Sequence, residues 1–192
     1  MGATMIHEFI QRTNEYPIIG AISDSIILDD ALESDCEVLF FLSGSVFDID
    51  KKVKKAKEAG KMVFVHLDLL DGFSRDAVAV EYLCKRTETD GIITTKSSMI
   101  KVIKSFNKIS IQRVFLIDSI NFDAGIKSVK QTQPDAVEIL PGIMHQITNQ
   151  IVSQTKTPIV TGGLIRSKED IIQSLKAGAQ AVSTSNPKLW GL

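Results

Sequence analysis

The strongest constraint in the sequence is a regular alternation of short apolar strands and amphipathic helical segments along the whole chain. Eight strands are predicted, at 18–23, 37–43, 62–68, 91–96, 112–118, 136–140, 159–162 and 181–184. Helical patterns fall between them, for instance at 48–59, 76–86, 97–107, 123–132, 143–154 and 167–177. Because strands that alternate with helices form βαβ units, this rhythm predicts a parallel sheet.

Eight such units can close into a (β/α)8 barrel of the TIM type, which is the fold we predict for one domain spanning 1–192. The chain is short against the roughly 250 residues typical of that fold. We therefore expect a compact barrel with minimal loops, a truncated last helix at PKLWGL, and a helix near 4–11 that covers the barrel bottom. The alternative is an open doubly wound sheet, but the first strand and turn, IGAISDS, lack the GxGxxG fingerprint of dinucleotide binding.

Composition excludes several classes of protein. The 22 basic and 23 acidic residues give a net charge of -1, so the chain has no overall attraction to nucleic acid or to a membrane surface. Cys36 and Cys84 form no CxxC pair, so we expect reduced thiols rather than a disulfide or a zinc site. No apolar run approaches the roughly 18 residues of a membrane span, and no signal peptide is evident. We expect a cytoplasmic protein without membrane contact, metal or cofactor.

Polar side chains gather near the carboxyl ends of the predicted strands. His66 and Asp68 share one face of the third strand, Lys96 ends the fourth, and Asp118 and Glu138 lie late in the fifth and sixth. Barrel proteins place their sites at this end, so these five side chains are candidates for one rim. The alternative for each residue is an ordinary helix cap or loop position.

Two glycines, Gly162 and Gly163, end the seventh predicted strand just before a helix that Ser167 is expected to cap. Glycines allow a ligand to approach the backbone, and exposed amides at a loop or helix N-terminus bind anions. The eighth strand is followed by STSNP, in which Ser185 or Asn186 can cap a short helix. In (β/α)8 barrels these two loops often hold phosphate. We therefore predict a phosphate site here; the alternative is merely a tight turn.

The rim residues are compatible with two kinds of chemistry. His66 could act as a general base, and Lys96 could form a Schiff base if it were desolvated. The carboxylates could equally accept hydrogen bonds from ligand hydroxyls without any reaction. Because carboxylates are poor partners for phosphate, the pattern suggests a small polyol phosphate with its hydroxyls toward Asp118, Glu138 and His66.

A lysine-rich segment, KKVKKAKEAGK at 51–61, is the one marked charge run. On a helix, Val53 and Ala56 would face inward while the lysines spread over the solvent side. Such a face could contact nucleic-acid phosphates, but a solvated helix face is the simpler interpretation.

Six segments of the chain resemble the glycerol uptake operon antiterminator regulatory proteins of bacteria. They fall in order at successive strand ends, and they are VHLDLLDG, DGIITTKSS, IQRVFLIDS, PDAVEILPG, TGGLI and AGAQAVSTSNPKLW. The resemblance implies a (β/α)8-like regulator that senses glycerol 3-phosphate and, when loaded, binds the leader mRNA of glycerol-catabolism genes so that transcription passes a terminator. After the first strand the chain departs from the family pattern, because Ser23 and Asp24 stand where a basic residue is expected.

The first hypothesis is therefore a non-catalytic, ligand-gated regulator that works as an RNA-binding protein. Its effector, glycerol 3-phosphate, would meet backbone donors at strands seven and eight and polar side chains around its glycerol end; these residues are Gly162, Gly163, Ser185, Asn186, Lys96, Glu138, Asp118, His66 and Asp68. A homodimer would be a natural way to assemble an RNA surface, with the tail around Trp190 contributing if it is exposed. The rival hypothesis is an isomerase, lyase or prenyltransferase that acts on a small phosphate ester.

Overall fold

The computed structural model describes residues 2–24 and 27–192 and contains a closed barrel of eight parallel strands. The strands pair in sequence order, and the first pairs with the last. They are β1 (Ile18–Ile22), β2 (Val38–Phe41), β3 (Met62–His66), β4 (Gly91–Thr94), β5 (Ile109–Phe115), β6 (Ala136–Leu140), β7 (Ile159–Gly162) and β8 (Ala181–Thr184). The predicted (β/α)8 fold is confirmed, and the open-sheet alternative is excluded.

Eight helices accompany the strands in the described part of the chain. They are α1 (Gly2–Glu15), α2 (Leu28–Glu33), α3 (Ile49–Glu58), α4 (Ala77–Arg86), α5 (Ser97–Ser105), α6 (Ser119–Thr132), α7 (His145–Gln154) and α8 (Lys168–Lys176). As predicted, Ser167 caps α8, and its side chain forms a capping box with Asp170. A single 3-10 turn, Pro187–Leu189, follows β8 in place of a full helix, so the predicted truncation is confirmed.

The barrel interior is apolar at its amino-terminal end, and α1 closes that end. Phe9 of α1 is fully buried and belongs to a cluster with the first residues of several strands. Its ring centroid lies 5.4 Å from that of Phe64, which in turn lies 5.5 Å from that of Phe40, both in edge-on geometry. The expected helix over the barrel bottom is therefore present, and it is longer than predicted.

In the outer layer, the lysine-rich segment forms the predicted helix with its apolar residues facing inward. Val53 and Ala56 of α3 are fully buried, while three of its lysines form close ion pairs, one with the N-cap of the same helix and two with neighbouring segments. Their nitrogen–oxygen distances are 2.6 Å for Lys52–Asp48, 2.5 Å for Lys55–Asp29 and 2.7 Å for Lys57–Asp90. Much of the positive charge on this face is thus neutralised within the protein.

Several element boundaries differ from the sequence prediction. All four strands β2 to β5 end two or three residues earlier than predicted, because β2 stops at Phe41, β3 at His66, β4 at Thr94 and β5 at Phe115. β5 also begins three residues before its predicted start, and α6 begins at Ser119 rather than at 123 because Asp118 caps it. The short α2, buried through Leu28 and Ala31, was not predicted at all.

The chain end is buried rather than exposed. Trp190 is 1% exposed, and its indole Nε1 donates to the Thr184 carbonyl oxygen at 2.9 Å. The Tyr16 hydroxyl donates to the Trp190 carbonyl oxygen. The expectation that an exposed Trp190 tail could serve RNA is therefore wrong, since this residue is buried in a hydrophobic core cluster. Cys36 and Cys84 are free thiols, as expected.

The helices of the described residues include none with both the length and the apolar character needed to cross a bilayer.

Replacing Phe9 with alanine should expose how much the barrel depends on α1. Phe9→Ala leaves a cavity against Phe64, so the free energy of unfolding should fall by about 3–5 kcal/mol. The matched control is Phe47→Ala, because Phe47 is 86% exposed and its truncation should cost less than about 0.5 kcal/mol. Urea unfolding followed by circular dichroism measures both; equal losses in the two variants would contradict the role assigned to α1.

Candidate functional site

The centre of the barrel mouth is a buried ion pair between two adjacent strands. Arg113 on β5 and Glu138 on β6 are register partners, and they are 7% and 1% exposed. The Arg113 Nε donates to Glu138 Oε2 at 2.7 Å. Both side chains point into the barrel, because they continue the inward alternation of Ile111 on β5 and Ala136 on β6.

The second oxygen of Glu138 also has a partner. Ser183 on β8 donates its hydroxyl to Glu138 Oε1 at 2.8 Å, so the carboxylate links three strands of the barrel. This arrangement explains the glycine at the end of β7. A Cβ at Gly162 would collide with Ser183 Oγ and lie 2.8 Å from Glu138 Oε1. The space in front of Gly162 is therefore filled by the protein itself.

A cavity of about 100 Å³ opens above this pair at the carboxyl ends of the strands. It is lined by Ala21, Leu42, Arg113, Glu138, Leu140, Gly163, Leu164, Ile165, Ser183, Thr184 and Ser185. On the β7 side, Gly163 and Leu164 both have left-handed backbone conformations, with φ of +74° and +61°. Glycine adopts that conformation without cost, whereas leucine is strained in it, so this turn is held by its surroundings.

His66 ends β3 and lies in the same interior. Its side chain is 1% exposed, and neither ring nitrogen has a hydrogen-bond partner among the described residues. Burial lowers the pKa of His66 to about 3, assisted by the positive charge of Arg113 and only partly opposed by Asp68. His66 is therefore a neutral imidazole with an unused donor and an unused acceptor.

Asp68 has a structural task in the turn after β3. Its carboxylate accepts hydrogen bonds from Thr94 Oγ1 at 2.7 Å, from Thr95 N at 2.6 Å and from Thr95 Oγ1 at 2.7 Å. Burial alone would raise the pKa of Asp68, but these hydrogen bonds outweigh it and lower the pKa. The carboxylate therefore links the turn after β3 to the end of β4. This matches the alternative given in the sequence analysis, in which such a residue is an ordinary cap or loop position.

Lys96 and Asp118 also lie outside the cavity. Lys96 is exposed, and its Nζ donates to the Arg75 carbonyl oxygen at 2.9 Å. Asp118 is exposed and caps α6 by accepting from the backbone and side-chain nitrogens of Asn121, each at 2.8 Å. Those hydrogen bonds lower the pKa of Asp118. The prediction that Asp118 lies within strand β5 is wrong, because the strand ends before it.

The segment after β8 has the predicted capping geometry. Asn186 accepts a hydrogen bond from Lys188 N at 3.2 Å at the start of the 3-10 turn, and its own backbone nitrogen donates to Thr184 Oγ1 at 3.2 Å. Ser185 is exposed and lines the cavity. This turn therefore contributes Ser185 to the mouth. The side-chain oxygen and the backbone nitrogen of Asn186 both form local hydrogen bonds.

The structure thus brings together only part of the predicted set. Glu138, Gly163 and Ser185 line the cavity, Gly162 lies directly beneath it, and His66 lies in the barrel interior; Asp68, Lys96, Asp118 and Asn186 do not line it. Arg113 was missed by the sequence reasoning. Its signal was present, because Arg113 follows Ile109 and Ile111 at the inward period of β5, but the predicted strand began too late to show it.

Chemically, the mouth offers a guanidinium and hydroxyls on the lining of a small cavity, with a neutral imidazole in the same barrel interior. This set suits an anionic group that carries hydroxyls. Within residues 2–24 and 27–192, no three His, Cys, Asp or Glu side chains lie together in a way that could hold a metal ion.

Comparison with known proteins gives a consistent family match. A family model described as glycerol-3-phosphate responsive antiterminator matches residues 18–190. The protein YgcP of Escherichia coli (strain K12) is 40% identical over 176 residues, which is 92% of each chain.

Two solved structures are similar over most of the barrel. A glycerol uptake operon antiterminator regulatory protein from Listeria monocytogenes is 35% identical, with a TM-score of 0.88, and the match covers 91% of this chain and 95% of that one. A glycerol uptake operon antiterminator-related protein from Thermotoga maritima is 29% identical, with a TM-score of 0.81, covering 90% and 96%. Barrels at 11–15% identity, aldolases among them, show the fold alone.

The neutral state of His66 makes stability depend on pH in a defined direction. Between its folded pKa of about 3 and the value of about 6.5 for an exposed histidine, the unfolded chain binds a proton that the folded chain does not. The free energy of unfolding should therefore fall as the pH drops below about 6.5, by about 3 kcal/mol between pH 7 and pH 4 from this residue.

His66→Leu should remove that part of the acid dependence, because leucine binds no proton while Arg113, Arg75 and Asp68 stay in place around it. Urea unfolding at pH 7 and pH 4 measures the difference, with the exposed His7→Leu as the matched control. An acid dependence as steep in His66→Leu as in the unmodified protein would contradict a buried neutral imidazole.

Proposed function

Because the chain belongs to the glycerol-3-phosphate responsive antiterminator family, we propose that it binds glycerol 3-phosphate in the barrel mouth and then binds leader mRNA. Loaded with this effector, the protein attaches to the leader of glycerol-catabolism transcripts, and transcription passes a terminator. The names of the similar Listeria and Thermotoga proteins support the glycerol uptake context. An mRNA target implies action in the cytoplasm.

The observation that carries the ligand proposal is the cavity of about 100 Å³ at the mouth. It lies at the carboxyl ends of the strands, where barrel proteins bind their ligands, and it faces the turns after β7 and β8 that often hold phosphate in this fold. Gly163 and Ser185 supply the phosphate side of the site. The glycerol hydroxyls then extend toward the rim. Lys96 and Asp68, which the sequence pattern assigned to the ligand, lie on that rim outside the cavity.

A regulator without turnover fits the placement of the reactive side chains better than an enzyme does. The Lys96 amine, the candidate for a Schiff base, is exposed and donates to a backbone carbonyl outside the cavity. His66 has a pKa of about 3, whereas a general base works best with a pKa near the operating pH. An enzyme acting on phosphate esters is the alternative, and product formation from a polyol phosphate that is lost in Lys96→Ala or His66→Ala would establish it.

Effector control requires that the RNA-binding form of the protein hold glycerol 3-phosphate more tightly than the other form does. By reciprocity, glycerol 3-phosphate raises RNA affinity by the same factor as RNA raises effector affinity. We expect a factor of about 5 to 150, which is the usual range for coupled sites.

Fluorescence titration of a labelled leader RNA, with and without saturating glycerol 3-phosphate, measures this factor. Glycerol and inorganic phosphate at the same concentrations should leave RNA affinity unchanged, and a scrambled RNA of equal length should bind weakly throughout. The slope of affinity against salt reports how many RNA phosphates the protein contacts. Equal leader affinity with and without the effector would contradict the antiterminator mechanism.

A homodimer formed through the edges of α6 and α7 is the assembly we propose. A groove of about 330 Å³ lies there; Ile117, which lines it, and the neighbouring Ile120 are 79% and 77% exposed. α7 carries no Lys, Arg, Asp or Glu, so this helix brings no like charges into a contact between two copies. The isoleucines of each copy would enter the groove of the other. Among the groove residues only Asp118 is charged, which makes the face unsuited to RNA phosphates.

Ile117→Glu should convert the dimer to a monomer, because it places a charge in the apolar contact. The matched control is Val78→Glu at the start of α4, since Val78 is 74% exposed and lies outside the α6–α7 face. Sedimentation equilibrium at micromolar concentration measures both variants. A protein that is monomeric without any substitution, or a dimer that survives Ile117→Glu, would contradict this interface.

A further inference from the structure

We infer that the Arg113 guanidinium receives the phosphate of the ligand and that Glu138 is a positioning residue that aims it. This inference rests on the proposed function and names the atoms that recognise the charged end of the effector. It also changes the role expected for Glu138, which the sequence pattern assigned to ligand hydroxyls.

The first support is the free edge of the guanidinium. Arginine has five N–H donors, and in Arg113 only the Nε donor is used, by Glu138 Oε2 at 2.7 Å. The Nη atoms make no hydrogen bond or ion pair within the described residues, although the side chain is only 7% exposed and lines the cavity. Two adjacent Nη groups are the fork that binds phosphate oxygens in pairs.

The second support is that Glu138 has no oxygen left without a protein partner. Oε2 accepts from Arg113 and Oε1 accepts from Ser183. A carboxylate held on both sides fixes the plane of the guanidinium that it contacts. It therefore orients Arg113 before the ligand arrives, which lowers the entropy lost on binding.

The third support is the size and composition of the cavity. Its volume of about 100 Å³ corresponds to roughly three water molecules at about 30 Å³ each, which suits a phosphate group better than a whole glycerol phosphate. Besides Arg113, the lining of the cavity includes Gly163 and Ser185 from the turns after β7 and β8. Phosphate among these residues leaves the glycerol end toward the rim.

The other cations of the rim are less suitable for this role. Lys96 Nζ donates to the Arg75 carbonyl oxygen, and Arg166 in the β7–α8 loop is exposed; neither lines the cavity. Arg166 therefore provides a control of the same residue type on the same rim.

The test is calorimetric titration of glycerol 3-phosphate, with glycerol as the uncharged probe, into the unmodified protein and four variants. Arg113→Gln should weaken glycerol 3-phosphate binding at least about 50-fold, and Arg113→Lys should weaken it less because it keeps the charge but loses the fork. Arg166→Gln should bind as the unmodified protein does.

The fourth variant separates binding from folding. Removing one member of a buried ion pair destabilises a protein, whereas replacing both with apolar residues is often neutral. Arg113→Met together with Glu138→Leu should therefore remain folded, with an unfolding temperature near that of the unmodified protein, and should not bind glycerol 3-phosphate. If this folded double variant still bound glycerol 3-phosphate, the pair would have only a structural role and the inference would be wrong.

The pH profile gives a second readout. Because phosphate monoesters gain their second charge near pH 6, affinity should rise between pH 5 and pH 7 in the unmodified protein and stay nearly flat in Arg113→Gln. Two results would overturn the inference while leaving the proposed function intact. One is an unchanged affinity of Arg113→Gln for glycerol 3-phosphate, and the other is a loss of affinity for glycerol as large as the loss for glycerol 3-phosphate. No binding of glycerol 3-phosphate by the unmodified protein would overturn both.

Discussion

The buried ion pair between Arg113 and Glu138 is the constraint from which the rest of the barrel mouth follows. Two charges removed from water need close geometry and further hydrogen bonds to offset their desolvation. The 2.7 Å contact between Nε and Oε2 and the Ser183 hydroxyl on Oε1 supply both. Together with Ser183, the pair ties β5, β6 and β8 together and excludes any side chain at Gly162, and Arg113 lines the cavity.

Around this centre, two aspartates of the predicted rim hold the loops. Asp68 accepts three hydrogen bonds from Thr94 and Thr95, and Asp118 caps α6. Their low pKa values record these bonds rather than a reactive environment. A site with one ion-paired guanidinium, a weakly basic imidazole and carboxylates that already accept hydrogen bonds within the protein is suited to binding an anion. The fold hosts both sensors and catalysts, and this set of groups favours a sensor.

The fold could be predicted from the sequence because eight apolar runs alternate regularly with helical segments. Errors of a few residues at the boundaries do not change the number or the order of these elements. The site could be predicted only in part, because alternation assigns faces only while a strand lasts. β3 ends at His66 and β4 at Thr94, so the face expected for Asp68 and Lys96 no longer applied. Glu138 lies well inside β6, where the alternation still holds, and its side chain is buried.

Arg113 shows the complementary limit. An arginine in an apolar strand segment, IQRVF, gives no local indication of whether it snorkels outward or is buried, and its burial depends on a carboxylate 25 residues away in the chain. Gly162 shows the same dependence, since its missing side chain is explained by Ser183 and Glu138 on other strands. Such pairings become visible only once the strands are side by side.

The most direct test of a phosphate-binding mouth is a crystal structure of the protein with glycerol 3-phosphate. The phosphate should lie between the Arg113 Nη atoms and the turns that carry Gly163 and Ser185, at hydrogen-bond distances of about 2.7–2.9 Å from the guanidinium. A ligand bound elsewhere, or one whose glycerol end occupies the cavity with the phosphate directed to solvent, would contradict this recognition of the effector.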